Sequence, residues 1–147
     1  MVSVRSGSKV NNFRRRKCGW QLPNKPTWMA LAMPIKSRYL FVASMDVDRD
    51  KEALFNEVYD TEHVPNLLKV PGVHAVTRVE GEPFAVSIGG EEKQVAHDGP
   101  RHSALYEIDG PHVLVSREWA KAVEAGRWPS EVRPFTRNRR HALYRLR

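Results

Sequence analysis

The chain has 147 residues, 41% of them hydrophobic, one cysteine and a formal net charge of +7. That length suits one domain with a real core, and no run approaches the ~20 apolar residues that span a bilayer. Cys18 alone excludes an internal disulfide, so a reducing, cytoplasmic setting and no membrane are expected. Residues 1–38 carry nine bases and no acid, whereas residues 39–147 carry the other 15 bases and all 17 acids and net −2. The globular part therefore has no basic excess, and a nucleic-acid partner is expected only through the basic N-terminal arm.

Residues 1–36 mix Ser, Gly, Asn, Arg and Pro without a sustained period and read as a disordered or non-native extension. Three readings compete. The segment is a targeting peptide, with Ala30-Leu31-Ala32 imitating a cleavage site; or a basic arm that touches nucleic acid or membrane; or it lies outside the native protein, whose natural start is then Met33-Pro34-Ile35. The last is favoured. The domain is expected over residues 37–147.

Residues 39–45 are apolar on both faces, which predicts a central strand covered on both sides. Asp48 is a candidate N-cap for a helix from about residue 49 to 69. At helical spacing Leu54, Val58, Thr61, Pro65 and Leu68 share a face, flanked by Phe55 and Tyr59. Glu62 falls on the Phe55/Tyr59 side, and His63 starts on the far side. Pro65 removes a helical hydrogen bond and bends the last turns, which leaves the direction of His63 open. Pro71-Gly72 then turns the chain into a second strand, residues 73–80. There Val73, Ala75, Thr77 and Val79 point one way, and His74, Val76, Arg78 and Glu80 the other.

Residues 81–100 read as a hairpin-like insertion: residues 84–88 and 93–96 pair around Gly89-Gly90. A third strand follows over residues 101–108, with His102, Ala104, Tyr106 and Ile108 on one face. Ser116 is a good N-cap for a helix over residues 117–125, with Gly126 past its end. The Pro- and Arg-rich residues 128–140 read as irregular, and residues 141–147 as a last strand. Arg133, Arg137, Arg139, Arg140, Arg145 and Arg147 form a second basic cluster, read as a solvated or subunit-contact surface. The order β-α-β, hairpin, β-α-β is that of a ferredoxin-like α+β fold: an antiparallel sheet with two helices on one face. A first strand apolar on both faces then needs a cover for the other face. A second copy of the chain is the simplest one, so a homodimer is expected.

The chain resembles the dimeric α+β barrel superfamily, in particular its EthD-like and stress-responsive small-protein branches. The resemblance covers roughly residues 38–147. It is carried by the apolar first strand, Tyr59-x-x-Glu62-His63-x-Pro65, Pro71-Gly72-Val73, Tyr106-Glu107-Ile108, Ser116-Arg117-Glu118-Trp119, and Arg139-Arg140-His141-Ala142-Leu143-Tyr144-Arg145. The insertion at 81–100 and the arm depart from the minimal pattern. The resemblance implies two ferredoxin-like subunits that join sheets into a barrel, with a pocket between each sheet and its helices or loops. It implies a spectrum of roles from polyketide cyclases, isomerases and cofactor-free monooxygenases to haem-degrading enzymes and proteins without an assigned role.

Glu62 and His63 are the sharpest pair. A histidine near its usual pKa moves protons at neutral pH, and a carboxylate beside an apolar face is pushed toward the acid or base range. The bland reading is that His63 braces the kink and Glu62 reaches solvent. Tyr59 either orients a carbonyl or phenol or packs at the core edge. His74, Arg78, His102 and Tyr106 meet in one layer if the second and third strands pair. Arg78 then holds an enolate or carboxylate, or else the group serves a subunit interface. Trp119 and Trp128 read as packing anchors. The six histidines offer no H-x-H or H-x-x-x-H pair, so no metal is expected. No nucleotide-binding glycine loop and no Gly-x-Ser-x-Gly elbow is present, so no cofactor is expected. The leading expectation is a small cofactor-independent enzyme acting by proton transfer on an aromatic, polyketide-like or enolisable small molecule. His63 is its base or acid, with Glu62 and Tyr59 orienting. The competing expectation is a non-catalytic, small-ligand-binding or stress-related dimer.

Overall fold

Alternation of side chains along each strand decides which residues meet. The computed structural model describes residues 35–147, so the expectations for the basic arm and Cys18 lie outside the described residues. Its strands are β1 (Tyr39–Val47), β2 (Val73–Glu80), β3 (Phe84–Ile88), β4 (Glu91–Val95), β5 (His102–Ile108) and β6 (Thr136–Arg145). Four form one sheet in the order β2-β5-β1-β6, every neighbour antiparallel, and β3 pairs with β4 as a separate ribbon. The chain is thus α+β with antiparallel sheets, and β1 is a central strand as its two apolar faces predict.

Phe41 lies opposite Tyr106 and Leu143, and Ala43 opposite Ala104 and His141. These residues share the face on which the core packs, with Phe55, Val58, Tyr59, Leu67, Val113, Trp128 and Val132 above them. The predicted β5 alternation holds: His102, Ala104, Tyr106 and Ile108 are all buried. Leu40, Val42 and Leu105 occupy the opposite face and stay partly exposed.

The helical segments are α1 (Glu52–Val58), α2 (Val64–Leu68) and α3 (Arg117–Val123). A 3₁₀ turn, Arg49–Lys51, leads into α1, and the Asp48 side chain makes no capping bond to it; it lies 3.5 Å from Arg137 instead. A widened turn, Tyr59–His63, separates α1 from α2. It overturns the predicted helical face: Thr61 and Leu68 are exposed, while Tyr59, His63 and Leu67 are buried. Ser116 caps α3 as expected, its hydroxyl accepting from the Trp119 amide at 3.1 Å, and Gly126 ends that region in a left-handed turn, φ 69°.

Two further expectations change in the four-stranded sheet. The β2 register shifts between Val73 and Ala75, so Val73 faces the core while Ala75 joins the other face. The extra residue in that bulge is His74. The last strand begins at Thr136, not residue 141, because its arginines lie on an exposed edge strand and bury no charge. Asn138, at φ 49°, takes the left-handed conformation that asparagine tolerates, beside the bulge opposite Ser44–Asp46. The hairpin forms around Gly89 and Gly90, at φ 65° and 83°, with its second strand at Glu91–Val95 rather than residues 93–96. Among the described residues, no helix is long and apolar enough to cross a membrane.

Candidate functional site

Two π turns, each followed by a proline, shape the candidate site. In Tyr59–His63 the Val64 amide donates to the Tyr59 carbonyl, five residues back, and Pro65 follows. In Trp128–Val132 the Arg133 amide donates to the Trp128 carbonyl in the same way, and Pro134 follows. A proline has no N–H, and its ring crowds the carbonyl four residues back. The preceding turn opens into a π turn, a common device at functional sites. In the first π turn the rings of Tyr59 and His63 come to 5.0 Å on one face. Trp128, from the second, stacks on His63 at 4.3 Å and 24° and meets Tyr59 edge-on at 5.1 Å.

Between these turns and the sheet lies a cavity of about 480 Å³. Phe41, Tyr106, Trp119 and Trp128 give it aromatic walls, and His63, Arg133, Arg139 and His141 give it polar ones. His141 stacks on Phe41 at 5.7 Å. His63 is 5% exposed. Its Nδ1 is buried with no hydrogen-bond partner among the described residues. Burial, and secondarily the charge of Arg133, pushes its pKa down to about 4, so the ring is neutral at pH 7. The hydroxyls of Tyr59 and Tyr106 lie 2.9 Å apart. One proton is spent within the pair, and the other has no acceptor among the described residues. Burial raises the pKa of both phenols, so both stay protonated donors. Arg133 is held by Glu124 and the Val123 carbonyl. Arg139 reaches only the Arg133 carbonyl, at 3.3 Å, and has no carboxylate partner among the described residues.

Of the residues singled out in the sequence, His63, Tyr59 and Tyr106 come together here. Glu62 does not. It accepts from Arg127 Nε at 2.6 Å and from the Arg127 amide at 2.9 Å, and Arg127 also holds Glu57 at 2.8 Å. Those bonds, the backbone one first, hold the Glu62 carboxyl below its usual range. The expectation that Glu62 faces the core is therefore corrected: the π turn adds a residue and rotates His63 inward in its place. Strands β2 and β5 pair as foreseen, and Arg78, His102 and Tyr106 share the core face of the sheet, but of these only Tyr106 lines the cavity. Arg78 donates to Asp60 at 2.7 Å and Asn56 at 2.6 Å and lies over the Phe55 and Tyr59 rings, outside the cavity. His74 pairs with Asp109 at the bulge. His102 is buried at the far end of β5, beside Glu52 and Glu80.

The sequence reading missed Phe41, Arg139 and His141 as cavity residues, and Trp128 as the ring that stacks on His63. One local signal was available: Arg133-Pro134 repeats the Val64-Pro65 pattern behind an aromatic residue. No protein-family model matches the chain, and no curated protein matches its sequence.

Proposed function

We propose that the cavity is the active site of a small, cofactor-independent enzyme that moves a proton on an aromatic or enolisable small molecule. The observation that carries this reading is a neutral, buried His63, with an unpartnered ring nitrogen, beside the Tyr59–Tyr106 hydroxyl pair. A neutral imidazole accepts a proton from a carbon acid, and a phenol that stays protonated donates to the developing enolate oxygen. Arg139, rather than Arg78, supplies the countercharge. The aromatic walls favour a flat, unsaturated substrate. Glu62 positions His63 from outside, by tying the π turn to Arg127. The strand order β2-β5-β1-β6 supports the ferredoxin-like reading, and the partly exposed Leu40, Val42 and Leu105 support a homodimer joined through that sheet face.

One observation favours a second reading. A histidine with a pKa of about 4 is a weak base at pH 7. The same cavity then serves as the pocket of a non-catalytic ligand-binding dimer. Benzoylacetone, an aromatic β-diketone, separates the two. Deuterium uptake at its central carbon, followed by proton NMR in D₂O, is expected to exceed the uncatalysed rate and to fall about 100-fold in His63→Gln. Exchange unchanged in His63→Gln removes His63 from the chemistry. Saturable binding with no exchange above background selects the second reading.

A further inference from the structure

Away from the aromatic cavity, three residues distant in sequence converge at one corner of the fold. Glu52 opens α1, Glu80 ends β2 and His102 opens β5, directly opposite Glu80. One ligand atom from each lies within 4.8 Å of the other two. His102 is 4% exposed, and its Nδ1 is buried with no hydrogen-bond partner among the described residues. Nδ1 points at Glu80 Oε1 across 3.6 Å, and Nε2 at Glu52 Oε1 across 3.7 Å. Those gaps are too long for hydrogen bonds. An ion takes only one of the two ring nitrogens; either gap is close to the separation of about 3.4 Å between neighbouring ligands of a tetrahedral ion with bonds of about 2.1 Å, and the third residue's ligand atom lies within 4.8 Å. A positive charge already sits there: the Arg101 guanidinium lies 3.2 Å from Glu52 Oε1 and 3.4 Å from Glu80 Oε2. Its side chain is 56% exposed and free to swing out.

We propose that Glu52, Glu80 and His102 bind a first-row divalent cation of the Zn²⁺ type, and that Arg101 neutralises the same two carboxylates when the cation is absent. One imidazole nitrogen and two carboxylate oxygens are a donor set for Zn²⁺ and its neighbours rather than for Mg²⁺, which prefers oxygen alone. Three protein ligands leave positions for water, and a polar cavity of about 200 Å³ lined by Asp46, Arg49 and Arg137 adjoins His102 on that side. The ion would clip the start of α1 to the ends of β2 and β5. Its failure or success is independent of the aromatic cavity, which none of the three residues lines.

The test uses the full chain stripped with a chelator. Zn²⁺ binding is followed by calorimetry, and Co²⁺ by its visible absorption, with Mg²⁺ as the comparison. One Zn²⁺ per chain is expected, with no comparable Mg²⁺ binding. Glu80→Gln, at a half-exposed side chain, is expected to weaken Zn²⁺ at least 10-fold. Arg101→Gln removes the competing charge and is expected to tighten it several-fold. Zn²⁺ binding by Glu80→Gln as tight as by the parent overturns the site, as does saturable binding in neither the parent nor Arg101→Gln. His102→Gln gives a third check on any variant set whose circular dichroism matches the parent: unweakened Zn²⁺ binding there also overturns the site.

Discussion

Burial sets the chemistry of His63. Its folded pKa of about 4 lies below the ordinary value of 6.5, chiefly because the pocket penalises the charged ring, and secondarily because of Arg133. As pH falls, the unfolded chain therefore takes up the proton first. The stability that His63 gains by staying neutral is fully present above pH ~6.5 and is lost as pH falls toward about 4, an effect of roughly 3 kcal/mol. His63→Leu removes that proton uptake and is expected to flatten the pH dependence across this window. Urea melts of both proteins at pH 7.5 and 4.5 measure it, and an equal loss of stability in the two would show that His63 is not neutral by burial. The Glu62-His63-x-Pro65 pattern singled out His63, and the structure places it on the cavity wall. Its partner was not legible. Glu62 and His63 are adjacent in sequence, yet a helix sends adjacent side chains about 100° apart, and the turn that rotates His63 inward sends Glu62 to Arg127.

The π turns are the elements on which the site depends. An uninterrupted α-helix continuing from Phe55, Val58 and Tyr59 would next bury residues 62 and 66. The added residue moves burial to His63 and Leu67. If Pro65 is the cause, Pro65→Ala restores an amide and removes the ring that an α-helical turn would press on the Thr61 carbonyl, so the turn returns to α register. The expected readout is the His63 imidazole titration by NMR, which shifts from about 4 toward ~6.5 as the ring leaves Trp128. A titration that stays near 4 would place the cause of the π turn in tertiary packing instead. Elements whose signal is local were legible: the β5 alternation, the Gly89-Gly90 hairpin and the Ser116 cap. The start of β6 was not, because an arginine-rich run forms a strand only where a sheet edge offers hydrogen bonds and leaves the charges in water.

Across the whole molecule, β1 carries apolar residues to both faces of the sheet, and the helical segments cover one. Leu40, Val42 and Leu105 remain on the other. If a second copy covers them, Leu105→Lys puts a charge in a dry interface and is expected to convert the dimer to a monomer in light scattering coupled to size exclusion. A parent protein that is itself monomeric would reject the dimer. The corner where Glu52, Glu80 and His102 meet also belongs to this level. No spacing rule for metal ligands spans 50 residues of chain, and register alone brings Glu80 and His102 face to face.

Local pattern was enough for the α+β class, the central first strand, the hairpin and the cap of the last helix, and it singled out Tyr59 and His63 without fixing the direction of His63. Periodicity, turn chemistry and capping act over a few residues, so the amino-acid order alone carries them. Tertiary structure decided that Glu62 leaves the site, that Arg78 is spent on Asp60 and Asn56, that Arg139, His141 and Trp128 enter, and that His102 faces two carboxylates. Those outcomes turn on one inserted residue in a helix, one bulge in β2 and the register of four strands. Each shifts a whole face at once, because side-chain direction is a phase that accumulates along an element and is fixed only when the elements pack.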